Sequence, residues 1–350
     1  MSASRTITII GGGLAGLALG IGLRQRGVPA RVLEAGIYPR HRVCGEFVSG
    51  NGLAVLQRFG LRQKFEAAGA CYAQTAVFIC GSRRSPVREL PRPALCLSRH
   101  VMDGLLAEVF RGLGGELRVN QRWTAPAAAG AEGVVYATGR RLQPAQNPGW
   151  FGVKAHLPPD TTVKLTADLE MHVSSGGYVG INRTSNGEIN VCGLFHLREG
   201  QRRAESKLDW LRGEEGSSLR ARIGDASFDR DSFCAVGGLQ LRPQRATEHA
   251  ECCVGDAVTM TPPVTGNGMS MAFESAELAL EPLAAYSAGR SSWTETRREI
   301  ASRCDTMFAQ RLAWARRLQW LMMSPVFHGR LGGILLRSDG LWQWMFARTR

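Results

Sequence analysis

No apolar run in this 350-residue chain reaches the roughly 18 residues that a membrane span requires, so a soluble or peripheral protein is expected. There is no Cys-x-x-Cys and no metal-ligand spacing of Cys or His. The nine cysteines (44, 71, 80, 96, 192, 234, 252, 253 and 304) are odd in number. A disulfide framework is therefore not expected, and the thiols point to a reducing cytoplasm. Only five residues precede the first apolar stretch, which leaves no room there for a signal peptide. No internal repeat and no low-complexity tract is present. No basic stripe is interleaved with aromatics, so nucleic acid is not an expected partner. Acidic residues are the scarce charge, 30 against 43 Lys and Arg, leaving a net charge of +13. That balance suits an anionic cofactor, an anionic substrate, an acidic membrane surface, or simply a basic solvated surface.

What is present begins at once. TITII (6–10) is a short apolar strand, followed by GGGLAG, a helix ending at Gly27, and a second strand in VPARVLEA. This is a βαβ unit. Within it, Gly11-x-Gly13-x-x-Gly16, with Ala15 inside the pattern, falls between strand and helix, the context that makes it a dinucleotide fingerprint. The first glycine permits the turn, the second lets main-chain N–H groups approach a pyrophosphate, and the third lets helix and strand pack closely. The helix start favours the phosphate charge. Glu34 ends the second strand, placed to hold ribose hydroxyls and to repel a 2′-phosphate.

Further along, HRVCGEFVSGNGLAVLQRFGL (41–61) reads as a loop and then a helix from about Gly50, and LSRHVMDGLLAEVFRGLGGEL (97–117) as a helix that stops at glycines. VVYATG (134–139) is a buried strand and turn. From about Gly152 to Leu241 the pattern alternates, as in TVKLTADLEMHV and GGYVGINRTSNGEINVCGLFHL, with a hairpin at SNG and a helical interruption at about 200–223. Residues 251–286 return to strand, loop and helix, and the remainder is helical, basic and Trp-rich. The expected fold is α/β: a Rossmann-type FAD-binding domain (1–75, 96–150 and 242–290) interleaved with an antiparallel-sheet substrate domain (76–95 and 151–241), with a C-terminal helical segment (291–350).

CVGDAVTMTPPVTGNGMSMAFESAELA (253–279) resembles the second flavin motif of the p-hydroxybenzoate hydroxylase-like flavoproteins. The resemblance implies FAD. It places Gly255 and Asp256 at the ribityl chain, and Pro262, Pro263, Gly266, Gly268 and Met269 at a helix start aimed at the flavin ring. The segment around Cys44-Gly45, the Arg99-x-x-x-Asp103-x-x-Leu106 helix and the GGYVGINRTSNG hairpin resemble the geranylgeranyl reductase-like branch of that superfamily. They imply that Arg99 lies near the FAD. The matches span residues 6 to 280, and the last 70 residues match nothing specific. Where hydroxylases carry Asp-Gly, this chain has Thr138-Gly139, which puts NAD(P)H as the electron donor in question and leaves a separate redox protein as the other source. Trp-x-Trp-x-Ile-Pro, the mark of flavin-dependent tryptophan halogenases, is missing, and WQW (342–344) lies at the wrong end of the chain, so halogenation is not expected.

A flavin brings its own redox chemistry, and the protein supplies position and electrostatics. Cys44 and Glu46 are the catalytic candidates, Cys44 to pack against or tune the ring and Glu46 to relay a proton. A buried small hydrophobe and a helix cap are the plainer readings of the pair. Arg42 is a candidate phosphate ligand or a solvated loop residue. Tyr178, Asn182 and Asn190 are polar candidates in the pocket roof. His156, His172 and His196 read as surface or satisfied core histidines. The expected function is FAD-dependent oxidation or reduction of a hydrophobic small molecule (isoprenoid, polyketide or aromatic metabolite) by hydride transfer between flavin N5 and a substrate carbon. The alternatives are a monooxygenase using a C4a-hydroperoxyflavin and a flavin-binding protein without turnover. The tail (314–350), mixing Arg with Trp, Leu, Met and Phe, reads as a helical layer closing the core, a channel cap or a peripheral membrane contact.

Overall fold

The computed structural model describes residues 4–124, 131–139, 149–197, 206–239, 241 and 244–349. In chain order the first strand and helix are β1 (Ile7–Ile10) and α1 (Leu14–Gln25), followed by β2 (Ala30–Leu33) and β3 (Phe47–Val48). Two short helices, α2 (Gly52–Arg58) and α3 (Arg62–Ala67), lead to β4 (Cys71–Cys80), β5 (Arg83–Arg84) and β6 (Arg88–Cys96). Then come α4 (Arg99–Gly112), β7 (Glu116–Arg118), β8 (Val134–Tyr136), β9 (Trp150–Leu157), β10 (Leu169–Ser174), β11 (Gly177–Arg183) and β12 (Ile189–His196). The rest is α5 (Asp209–Arg212), α6 (Ser218–Ile223), β13 (Asp229–Leu239), β14 (Cys252–Cys253), α7 (Gly268–Ser287), α8 (Trp293–Met323), α9 (Pro325–His328), α10 (Arg330–Arg337) and α11 (Asp339–Arg348).

The strands form two sheets. One is parallel, in the order β14-β8-β1-β2-β7. The chain goes to opposite sides of β1 to form β2 and β8, so the crevice beyond the carboxyl end of β1 is a topological switch point, where open α/β sheets bind ligands. Apolar side chains of β1 and of α1, which is buried from Leu14 to Leu23, share one core with α4, α7 and the first part of α8. The other sheet runs β13-β9-β12-β11-β10-β4-β6-β3, with β5 on β4, and is antiparallel except for β10 beside β4. Val153, Ala155 and Leu157 of β9 face a second core with Val179, Ile181, Val191, Leu211 and Ile223. By the two-residue repeat of a strand, Lys154 and His156 face the other way.

Two stretches differ from the sequence reading. In TVKLTADLEMHV the strand begins only at Leu169 and runs on to Ser174, because Asp168 turns back to accept the N–H groups of Gln74 and Thr75 (2.8 and 2.9 Å). The interruption expected at about 200–223 is two short helices, α5 and α6, and its first residues lie outside those described. The SNG hairpin is present as a 3-10 turn between β11 and β12, with Asn186 at φ 59°. None of the nine cysteines is in a disulfide. No described helix is long and apolar enough to cross a membrane.

Candidate functional site

A cavity of about 1110 Å³ runs between the two sheets, from the Gly11 turn to the C-terminal helices. That is at the top of the range for small-molecule sites, room for a dinucleotide and a second molecule. The residues that the sequence singled out for cofactor or chemistry line it, except Gly16, Asn190, Gly255 and Pro262.

At the sheet end the wall is main chain. Gly11 has φ 105°, and a Cβ there would lie 2.4 Å from the Ala137 carbonyl oxygen. A Cβ on Gly16 would meet the Gly11 oxygen at 1.9 Å, and one on Gly255 the Ala15 methyl at 2.8 Å. These glycines let strand ends and α1 close on one another. Gly13 is different. A Cβ there meets nothing within 4 Å, because it points into the cavity. Glu34 accepts from the N–H groups of Gly12 (2.7 Å) and Gly36 (2.8 Å) and from Arg40 (2.8 Å). Burial pushes its carboxyl up, but Arg40 and the two N–H groups outweigh burial and hold it at about 2. Glu34 is therefore ionised, and it braces the glycine turn as well as facing the cavity. Nε and Nη2 of Arg40 and Nε of Arg42 are buried without a hydrogen-bond partner in the protein. Buried guanidinium donors are costly to leave unmet. Together with the α1 N-terminus they fit an anionic group. Gly139 (φ 72°) and Asp256 complete this side.

Midway, Pro263–Thr265 makes a 3-10 turn and Gly266 (φ 61°) bends the chain into α7. Gly266 lies against the Phe47 ring, where a Cβ would come within 2.2 Å. Ser49 and Ser270 exchange hydrogen bonds (Ser270 Oγ to Ser49 O 2.6 Å, Ser49 N to Ser270 Oγ 3.2 Å), which ties the Cys44–Ser49 segment to the start of α7. Cys44 Sγ sits 3.1 Å from Met269 Sδ. Burial pushes the Cys44 thiol up, so it stays protonated. Arg99 pairs bidentately with Asp103 (2.8 and 2.9 Å) on the first turn of α4, which Ser98 caps. Asn190 donates to the Cys44 carbonyl (3.2 Å) and to Asn182 (3.3 Å), so two of the three roof candidates are bound into the wall. Tyr178 lines the cavity as the third.

Behind Cys44 lies a feature the sequence reading missed. Glu46, fully buried and at φ 58°, accepts from the Arg99 N–H (2.9 Å), from Lys154 Nζ (3.1 Å) and from His156 Nε2 (2.7 Å). Lys154 is also fully buried, and its Nζ lies 3.0 Å from His41 Nδ1. His156 Nδ1 lies 3.1 Å from Glu188, and His41 stacks on His100. Burial pushes the Glu46 carboxyl up, but the His156 hydrogen bond and the Lys154 charge outweigh it, so Glu46 is ionised. Burial and the Lys154 charge lower His41 to about 4, so it is neutral at pH 7 and accepts from Lys154. Glu46 is thus an acceptor at rest, with Lys154 and His156 as donors to it. His41, Glu46 and His156 come close enough to ligate a cation. The Lys154 ammonium, touching both His41 and Glu46, already supplies the positive charge. His156 is the core histidine that the sequence reading allowed, and its partner is the candidate Glu46. The signal was the Lys-x-His alternation in β9, two polar residues on one face opposite an apolar one.

The far end of the cavity is apolar: Phe78, Met260, Val264, Leu318, Trp342, Met345 and Phe346. Asn267, the residue before α7, donates to the Thr349 carbonyl (3.0 Å) and so joins the chain's C-terminal turn to the flavin-motif loop.

Comparison with known proteins bears on the fold and the cofactor. Residues 4–147 match the family model described as an FAD binding domain. The chain is 22% identical to a menaquinone reductase of Mycolicibacterium smegmatis, over 97% of this chain and 90% of that protein. Among solved structures it resembles the flavin-dependent brominase Bmp2 (TM-score 0.74, 16% identity, 99% of this chain and 93% of that one). It also resembles PqsL of Pseudomonas aeruginosa, a probable FAD-dependent monooxygenase (TM-score 0.67, 16% identity, 98% and 100%). At such identities the structural likenesses establish the fold and leave the reaction open.

Proposed function

Taking as premise that the chain is an FAD-dependent oxidoreductase, we propose that it moves hydride between flavin N5 and a carbon of a hydrophobic small molecule, as the geranylgeranyl reductase-like resemblance implies. The observation that carries this reading is the division of one cavity into a glycine- and arginine-lined end and an apolar end. Gly11, Gly13, Ala15, the α1 N-terminus, Arg40 and Arg42 would hold the pyrophosphate, Glu34 the adenosine ribose, and Asp256 the ribityl chain. Arg99, Gly139, Pro263 and the Gly266–Met269 turn would lie along the same cofactor. Bound FAD supplies the redox chemistry. The chain's own part is to orient, exclude water and manage charge. N–H groups at the start of α7 favour negative charge brought beside them. The neutral Cys44 thiol, packed on Met269, gives the middle of the cavity an apolar, uncharged wall. Phe78, Leu318, Trp342 and Phe346 would enclose an isoprenoid or aromatic body. A relative named menaquinone reductase supports a polyprenyl substrate in particular.

Hydride addition to a carbon–carbon double bond requires one proton to complete the product. The test uses dithionite-reduced holoprotein, so that neither NAD(P)H nor a redox-protein donor is needed. It is mixed anaerobically with polyprenyl alkenes and quinones, and in parallel with oxygen. The expected result is faster flavin reoxidation by one alkene than by oxygen, with a product two mass units heavier. Turnover that requires oxygen and adds 16 mass units would overturn the proposal in favour of a monooxygenase.

A further inference from the structure

The C-terminal helices present apolar side chains in two opposite directions. Leu318 of α8 lines the cavity, while Trp320, two residues on, is 73% exposed. Trp342 of α11 lines the cavity, while Trp344, again two residues on, is 43% exposed. Two residues along a helix is about 200°, so each pair straddles its helix. Ile334 of α10, 67% exposed, adds a third outward apolar group. A helical layer that merely closed a core would be apolar on its inner side and polar on its outer side.

The outward apolar groups stand among arginines. Residues 314–350 hold six Arg and a single acid, Asp339. Asp339 is already paired with Arg88 (2.8 Å). Arg316, Arg317, Arg337 and Arg348 are exposed. Arg317 stacks over Trp314, and Arg348 lies over both Trp314 and Trp344. Trp with Arg is the combination found where a protein meets the headgroup layer. A second copy of this chain would bring the same uncompensated arginines and be repelled. An anionic lipid surface would be attracted, by about 1 kcal/mol for each Arg near it.

We propose that the outer face of α8, α10 and α11, centred on Trp320, Ile334 and Trp344, docks on an anionic bilayer. Docked this way, the protein puts the wall made by Leu318, Trp342 and Met345 between the lipid and the apolar end of the cavity. A lipid-dissolved substrate would then cross one helical layer. This docking does not depend on the reaction proposed above, because binding to vesicles needs no turnover.

The experiment is flotation of FAD-loaded protein with vesicles of phosphatidylcholine alone and of phosphatidylcholine with 30% phosphatidylglycerol, at ~0.05 and ~0.5 M salt. Binding is expected only to the anionic vesicles and only at low salt. Arg316→Gln with Arg317→Gln should weaken it at least tenfold, two arginines at about fivefold each. Trp320→Ser with Ile334→Ser should weaken it severalfold. Both pairs are solvent-facing, and flavin content with far-UV circular dichroism checks that they fold. Absence of binding to anionic vesicles at low salt would overturn the proposal. So would binding that neither variant changes, or a saturable self-association abolished by Trp320→Ser.

Discussion

At the Gly11–Gly16 turn the cavity wall is main chain, and the features that matter are positive φ angles and missing Cβ atoms. Some thirty residues on, at Cys44–Glu46, the wall is held from behind by side chains of β9 and the His41 loop and by the first main-chain N–H of α4. One end is specified by what the backbone must be free to do. The other is specified by charges that must find one another across more than a hundred residues. The two regions should therefore fail differently when mutated: the first by losing its ligand wherever a Cβ has room, the second by losing stability.

The largest effect is expected at Gly13. Its Cβ position is open, so Gly13→Leu should fold with little change in melting temperature and yet be colourless after purification, with FAD affinity down more than about a hundredfold, since main-chain contact with the pyrophosphate is what the glycine permits. Gly11→Val, whose side chain would strike the Ala137 carbonyl, should fail to fold instead. A yellow Gly13→Leu protein would remove the pyrophosphate from this turn and collapse the contrast between the two ends.

Next is Lys154→Met. Removing one partner of a buried ion pair strands the other, at a cost of about 3–5 kcal/mol. Glu46 keeps the Arg99 N–H and His156, which places the expectation at the lower end of that range. Urea unfolding measures it. Adding Glu46→Gln to the Lys154→Met background should recover part of the loss, because the two changes share one interaction. Additive effects would mean that the two charges are independent. Asp103→Asn comes third. It leaves the Arg99 guanidinium, largely buried, with a neutral partner, and about 1.5–3 kcal/mol is expected. Some loss of FAD should accompany it if Arg99 faces the cofactor.

This division explains what could be read from the sequence. The turn at Gly11, the Arg99–Asp103 spacing and the Gly266–Met269 helix start are local: each needs particular residues within a few positions, so each leaves a pattern. Glu34 was legible as the acid ending the second strand, but not its bond to Gly12, 22 positions away. Cys44 and Glu46 were legible as candidates but not their surroundings. Lys154 lies 108 positions from Glu46, and nothing near either residue announces the other. The alternation of Lys154 and His156 against Val153, Ala155 and Leu157 did announce a polar face on a central strand. Read by itself, that face suggests solvent. Only the structure shows that the His41–Glu46 segment covers that face, leaving Lys154 and His156 buried.

The smallest effect tests whether the charged end is held by electrostatics or merely by packing. His41 is faced by Lys154, His156, His100 and Glu46, and burial with the Lys154 charge lowers it from an ordinary 6.5 to about 4. Its folded-state value is depressed, so between pH 6.5 and 4 the unfolded chain binds a proton that the folded chain refuses. The His41 contribution is complete above pH 6.5 and is lost as the pH falls towards 4. Glu46 and Glu34, also held low, run in the same direction but begin only below about 4.5. The interval from pH 7 to pH 5 therefore isolates the imidazole from the carboxylates. Urea unfolding at these two values should show the wild type losing stability and His41→Asn losing less. Because His41 is only partly buried, solvent screening makes the difference smaller than that for Lys154→Met. Parallel curves for the two proteins would mean that neither burial nor the Lys154 charge depresses His41, and this middle stretch of the cavity wall would then be held by packing alone.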